Sequence, residues 1–196
     1  MIDSKGLITK DRGDKLAEHK IFFARSDNDG KQYQKLSETI DYVKPTILIG
    51  LSGKKGIFTP KILRSMAKYN QKPVIFALSN PQTKAECSFS LVMKYTDNQA
   101  IFASGTGFPD YVANGRTYKN NQANNMYIFP GLELGVLLVK TKTINDSLVY
   151  TAAKNLAESL NETEKKENLL YPDLTKLQIV SKRISSIIQQ IFKVNY

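Results

Sequence analysis

The chain has 196 residues, 41% hydrophobic and 23% charged, which supplies apolar material for one sizeable core. Lys and Arg number 28 against 18 Asp and Glu, a net charge of +10. The cations are scattered, however, and no aromatic-basic stripe accompanies them, so charge alone points to no specific nucleic-acid partner. One cysteine, Cys87, and one histidine, His19, exclude an internal disulfide and a recognisable zinc-ligand spacing.

At the N-terminus Met1-Ile2-Asp3-Ser4-Lys5-Gly6 reaches a charge before any apolar run develops, which is not a signal peptide, and no stretch is long enough to span a bilayer. The reading is a cytoplasmic protein without a membrane partner. Asp3 ends what reads as a strand, where a carboxylate in a dinucleotide fold can bind the adenosine ribose; alone it is an acidic residue near a terminus. His19 sits in a charged stretch and reads as solvent-facing. Residues 26–35 read as a loop.

Three apolar runs, Thr46 to Gly50, Val74 to Leu78 and Ala100 to Ala103, are continuous rather than alternating, the pattern of strands covered on both faces. Each meets small polar or glycine residues, and the first two lead into helical patterns, a βαβ rhythm. Thr59-Pro60 predicts an N-cap and a proline in the first turn of a helix whose Ile62, Leu63, Met66 and Ala67 share one face. A second helix is predicted over 84–95, which makes Cys87 a buried helix thiol. Beyond Pro130-Gly131 helices are predicted near 132–140 and 146–160, with 161–168 as a linker. A last one follows Pro172, with Leu177, Val180, Ile184, Ile187, Ile188 and Ile191 at helical spacing. The expected fold is α/β: a partial Rossmann-like parallel sheet with flanking helices over 1–131, followed by an α-helical C-terminal segment, 132–196, packed on or beside it.

In an open parallel sheet ligands collect beyond the carboxyl ends of the strands. Asn80 there can donate to a carboxylate and accept from a ribose or carboxamide, although Asn before Pro81 is also an ordinary turn. Gly50-Leu51-Ser52-Gly53-Lys54-Lys55-Gly56 can bring backbone N–H groups to a cofactor, but matches neither a G-x-G-x-x-G nor a Walker sequence and reads equally as a flexible turn. Asn124 and Asn125 suit a bound carboxylate; a polar loop entering a buried segment is the plainer reading.

Taken together these strings resemble the malic enzyme family over nearly the whole chain, in order and at matching spacing. The matching segments run from Asp3-Ser4-Lys5-Gly6-Leu7-Ile8 through Lys44-Pro45-Thr46, Phe58-Thr59-Pro60, Phe76 to Pro81, Lys84-Ala85-Glu86-Cys87 and Ile101 to Gly105. They continue with Asn124 to Gly131 and Leu170-Tyr171-Pro172. The resemblance implies oxidation of L-malate with hydride transfer to NADP or NAD, then metal-assisted decarboxylation to pyruvate and CO2, the Mg2+ or Mn2+ acting as a Lewis acid. It places Asp3, Ser4 and Lys20 at the adenosine end of the cofactor, and Ser4-Lys5 with Lys20 looks like the NADP-using members, since lysines near the ribose can neutralise a 2'-phosphate. It places Gly50, Ser52, Gly53, Ser79 and Asn80 along the cofactor, and Asn80 and Asn125 on malate.

The same resemblance implies that the tyrosine acid, lysine base, metal carboxylates and glycine-rich fingerprint lie before Met1. The chain then carries no catalytic or metal-ligating residue, is inactive alone, and exposes the stripped edge of its sheet. It acts beside an N-terminal half, within a family that forms dimers and tetramers. Lys54-Lys55 in place of small residues, and Asn121 and Ala123 in place of glycines, favour the alternative of a degenerate, non-catalytic nucleotide-binding or interaction module.

Overall fold

The computed structural model describes the backbone of residues 1–194 and the side-chain surroundings of residues 1–192. Its centre is a parallel sheet of β3 (Ile47–Gly50), β4 (Val74–Ala77) and β5 (Ile101–Ser104) in that spatial order, with Ile47 opposite Val74 and Val74 opposite Ile101. Ser104 N donates to Asn121 O and Ala123 N to Ser104 O, so residues 121–123 run on beside β5.

One face of this sheet is covered by α2 (Leu36–Val43), α3 (Pro60–Tyr69) and α4 (Phe89–Tyr95). Leu48, Ile75, Ala77 and Phe102 meet Ile40, Ile62, Leu63, Met66, Val92 and Met93 in a single buried cluster. Each large side chain so buried contributes roughly 1.5–3 kcal/mol. The opposite face of β3 departs from the expectation of coverage on both sides. Ile47 and Ile49 are 51% and 53% exposed, and Leu51 just beyond the strand is 76% exposed. The continuous apolar run is present, but nothing in the described residues lies over it.

The helices follow their local signals with instructive exceptions. Pro60 stands in the first turn of α3; Thr59 occupies the N-cap position, yet its hydroxyl makes no capping bond. The helix expected from residue 84 starts only at Phe89, because residues 85–87 are drawn out beside the entry to α3: Gly56 N donates to Ala85 O and Phe58 N to Glu86 O. Ser88 then caps the helix through its Oγ, 3.3 Å from Leu91 N. Cys87 is therefore a buried loop thiol rather than a helix thiol.

Ahead of the sheet, β1 (Ile2–Asp3) pairs antiparallel with β2 (Gly6–Leu7), so Asp3 ends a hairpin strand and not a strand of the parallel sheet. A short helix, α1 (Glu18–Ile21), carries the exposed His19 and the half-buried Lys20. A second hairpin, β6 (Tyr111–Ala113) with β7 (Arg116–Tyr118), follows β5.

The C-terminal helices are α5 (Phe129–Val139), α6 (Asp146–Ala157), α7 (Glu162–Lys166) and α8 (Leu177–Val194). Helix α7 occupies the expected linker because Asn161 and Glu164 form a reciprocal capping box. Val180, Ile184 and Ile188 of α8 pack with Leu132, Leu148, Ala152 and Leu156 in a second core cluster. No helix of the described residues is long and apolar enough to cross a membrane.

Candidate cofactor and substrate site

The carboxyl ends of β3 and β4 are held together by a carboxylate that sequence reasoning passed over. Glu86 is fully buried. Its Oε1 accepts from Ser52 N at 3.0 Å, Ser52 Oγ at 3.1 Å and Ser79 Oγ at 2.5 Å, and its Oε2 from Ser79 N at 3.3 Å. Ser79 Oγ in turn accepts from Gly53 N at 2.8 Å. Burial pushes the Glu86 carboxyl upward, but the Ser79 hydroxyl and the backbone amides outweigh it and hold the group below the usual carboxylate range. The only sequence signal was position: an acid between two small buried residues, Ala85 and Cys87.

Four of the expected cofactor residues, Gly50, Ser52, Gly53 and Ser79, thus meet at one place. Gly50 is required there by space, since a Cβ on it would lie 2.6 Å from Glu86 Cδ and 2.8 Å from Phe58 Cζ. Gly53 has φ +64 and opens to solvent, as do Lys54 and Lys55. Asn80 follows Ser79 directly, exposed, ahead of a cis bond to Pro81.

Beyond β4 and β5 lies a concavity of about 500 Å³ whose walls include Phe76, Leu78, Gly105, Asn124, Asn125 and Tyr171. Asn125 is exposed on it, whereas the Asn124 side-chain oxygen is engaged, accepting from Met126 N at 3.0 Å. Asn121 shapes this wall: its buried Oδ1 accepts from Leu170 N and from Tyr171 N, the latter at 3.0 Å. Tyr171 stacks on Tyr127, whose hydroxyl donates to Pro172 O at 2.8 Å. Neither Asn121 nor Ala123 adopts positive φ, so replacing glycine at those positions imposes no strained backbone, and at 121 it supplies the clamp.

Asp3, Ser4 and Lys20 gather elsewhere, in the N-terminal hairpin region. Asp3 accepts from Arg12 Nη1 at 2.8 Å and from Lys20 Nζ at 2.7 Å, while Arg12 Nε also reaches Asp14 at 2.7 Å. Partial burial raises the Asp3 carboxyl, but the Arg12 and Lys20 bonds prevail and keep it well below its ordinary value. In this arrangement the carboxylate expected to meet a ribose, and the lysine expected to meet a phosphate, satisfy each other. Ser4 is exposed beside them.

Cys87 is sealed from this chemistry. Burial, and secondarily the neighbouring Glu86 charge, push its thiol from 9.0 up to about 12. Alkylation by iodoacetamide at pH 8.5 is expected to be at least about a hundredfold slower in the native chain than in urea. Equal rates would show the thiol to be open. Because the folded value is the higher one, the contribution of the neutral thiol to stability is complete below pH 9 and is lost as pH rises toward 12.

Residues 1–192 match the family model described as malic enzyme, NAD binding domain. The chain is 44% identical over 184 residues, 94% of its length, to the NADP-dependent malic enzyme of Dictyostelium discoideum, of which it covers 34%. It is 42% identical over 195 residues, 98% of its length, to the rat NADP-dependent malic enzyme, covering 33% of it. The mitochondrial NAD-dependent malic enzyme of Ascaris suum is 38% identical over 185 residues, 94% of this chain and 28% of that protein. The chain therefore spans about a third of the length of these curated relatives.

Proposed function

The chain belongs to the malic enzyme family, and from that premise we propose that it forms the distal part of the cofactor-binding unit, over residues 1–131, with 132–196 as a helical segment bracing it. The reaction it serves is oxidative decarboxylation of L-malate to pyruvate and CO2, in the cytoplasm and with NADP preferred over NAD. What carries the reading is the convergence of the Gly50–Gly53 turn with Ser79, next to Asn80, at the carboxyl ends of two parallel strands.

In this reading a nicotinamide cofactor held there would supply the hydride acceptor for malate C2. The Gly50–Gly53 turn and Ser79 lie along the cofactor, the Ser52 and Ser79 hydroxyls shaping the two turns through their bonds to Glu86, while Asn80 orients the nicotinamide end and Asn80 with Asn125 donates to the malate carboxylates. Asp3, Ser4 and Lys20 bind the adenosine end after the Asp3–Lys20 pair opens. Among the described residues no cluster of His, Cys, Asp or Glu is suited to a metal ion, so no step is assigned to a metal held by this chain.

The edge of β3, unpaired among the described residues, and the half-open face of Ile47, Ile49 and Leu51 favour a partner segment that continues the sheet beside β3, covers that face and supplies the acid, the base and the metal ligands. Assembly into a homo-oligomer belongs to the same reading. The alternative, a non-catalytic, degenerate nucleotide-binding or interaction module, draws support from the mutual satisfaction of Asp3 and Lys20.

Titrating the 196-residue polypeptide with NADPH and with NADH separates these possibilities. Saturable NADPH binding in the micromolar range, weaker NADH binding and no malate oxidation are expected. Absence of saturation up to about 1 mM would sink the cofactor reading, and turnover by the chain alone would overturn the assignment of the acid, base and metal ligands to a partner. Restored turnover on adding a separately produced N-terminal half of a family member separates the enzyme part from the module.

A further inference from the structure

We propose that Glu86 is a positioning residue for the cofactor site, its carboxylate setting the distance and direction between the Gly50–Gly53 turn and the Ser79-Asn80 turn. The inference rests on the cofactor reading above and names the group on which its geometry depends. Three observations carry it.

The first is connectivity. A single carboxylate accepts from both turns at once, two bonds from Ser52 and two from Ser79, and Ser79 Oγ passes the link on to Gly53 N. Gly53 N and Asn80 are therefore placed relative to each other through Glu86. The second is attachment to the frame. The Glu86 carbonyl accepts from Phe58 N at 3.0 Å, so the residue is fixed at the entry of α3 while its side chain reaches across the strand ends. The third is chemistry. The carboxylate is fully buried, and every bond it accepts comes from a hydroxyl or a backbone amide. Removing a carboxylate from water is unfavourable unless converging donors replace the water. Here those donors belong to the two turns, so the demand of the charge for donors is what draws the turns together.

Glu86→Gln is the direct test, because an amide keeps the shape of the side chain but turns one acceptor into a donor. With its oxygen facing Ser52 and the Ser79 hydroxyl, the new NH2 faces Ser79 N, donor against donor, and the clamp opens on the β4 side. In the full chain NADPH affinity is expected to fall about tenfold or more. Amide hydrogen exchange should accelerate at Ser52, Gly53 and Ser79 while Ile75 and Val92 in the sheet and α4 keep their protection. Ser79→Ala, which retains the carboxylate but removes the link to Gly53, should reproduce the exchange change at Gly53 and a smaller loss of affinity, and it serves alone if Glu86→Gln does not fold.

If the unaltered chain binds no NADPH, the cofactor reading fails and this proposal falls with it. If the unaltered chain binds and both variants bind equally well, only the positioning role fails. Weakened binding accompanied by faster exchange throughout the sheet would reduce Glu86 to a general stabiliser of the fold and overturn the proposal.

Discussion

Gly50→Ala is expected to destabilise the chain by about 3 kcal/mol and to abolish cofactor binding, although it adds a single methyl group. The reasoning turns on what the methyl meets. A Cβ at residue 50 lies 2.6 Å from both Cγ and Cδ of Glu86 and 2.8 Å from Phe58 Cζ, well inside contact distance. A flexible surface side chain would step aside, but Glu86 is fully buried and its carboxylate is held from two turns. Displacing it strips donors from a buried charge, each such bond being worth about 1.5–3 kcal/mol, and the overpacking itself adds about 1–3 kcal/mol. Gly53→Ala is the control. That residue has φ +64, so a side chain strains the backbone by about 1–2 kcal/mol, yet nothing lies within 4 Å of the added atom. Urea denaturation of the two variants side by side measures the difference, with NADPH titration of whichever remains folded. If Gly50→Ala proves no more destabilising than Gly53→Ala, Glu86 is not pinned as described.

The contrast between these glycines marks where sequence reading ends. The strand runs beginning near Thr46, Val74 and Ala100 were legible because a continuous apolar run bounded by small residues has few other interpretations, and their parallel pairing follows the expected βαβ rhythm. Four site residues also come together as their place in that rhythm implies. What was not legible depends on contacts distant in sequence. Glu86 is bonded to Ser52, 34 residues away, and nothing at 85–87 announces that the chain there leaves the helical conformation. The clamp of Asn121 on Leu170 and Tyr171 spans about 50 residues, and the residue that reads locally as an awkward substitute for glycine is a structural acceptor. The strand that Asp3 ends was misread for a related reason. The Asp3 carboxylate accepts from Lys5 N at 3.0 Å, closing a tight turn into the β1–β2 hairpin, which local pattern does not separate from the end of a parallel strand. The hairpin of β6 and β7 and the five-residue helix α7 were absent from the reading because each has too few residues to display a period, whereas the eight residues of α2 were long enough and were passed over.

Packing of α5 on α8 gives an equally sharp expectation, in which two glycines one turn apart should behave differently. Gly131 and Gly135 face α8, and replacing either by alanine gains about 1 kcal/mol of helix propensity. At Gly131 the new Cβ meets backbone: Ser181 O at 2.7 Å and Ser181 Cα at 2.9 Å, with Ile184 Cβ also at 2.9 Å. Backbone in the middle of an 18-residue helix cannot give way alone, so α8 must move and the cluster around Leu132, Leu148 and Val180 opens with it. At Gly135 the three nearest atoms all belong to the Ile188 side chain, at 2.9–3.0 Å. Rotation about χ1 takes Cγ2 and Cδ1 out of reach at roughly 0.5–1.5 kcal/mol, but Cβ is fixed to the α8 backbone, so the helices must also part slightly there. Gly131→Ala is therefore expected to lower stability by about 2–3 kcal/mol, and Gly135→Ala by about 1–2 kcal/mol, because two of its three contacts can rotate away. The neighbours also predict coupling. Ile188 is fully buried, so Ile188→Ala alone removes about 2–5 kcal/mol. Ile188→Ala removes Cγ2 and Cδ1 but keeps Cβ, so it relieves part of the Gly135→Ala clash while the new methyl fills part of the cavity, and the double variant should be more stable than the sum of the two single changes. Ile188→Ala should bring no such relief to Gly131→Ala, whose clash is with Ser181 and Ile184. Thermal unfolding of the five variants decides the matter: strict additivity at the 135–188 pair, or equal losses at both glycines, would mean that backbone contact at Ser181 does not set the approach of α5 to α8.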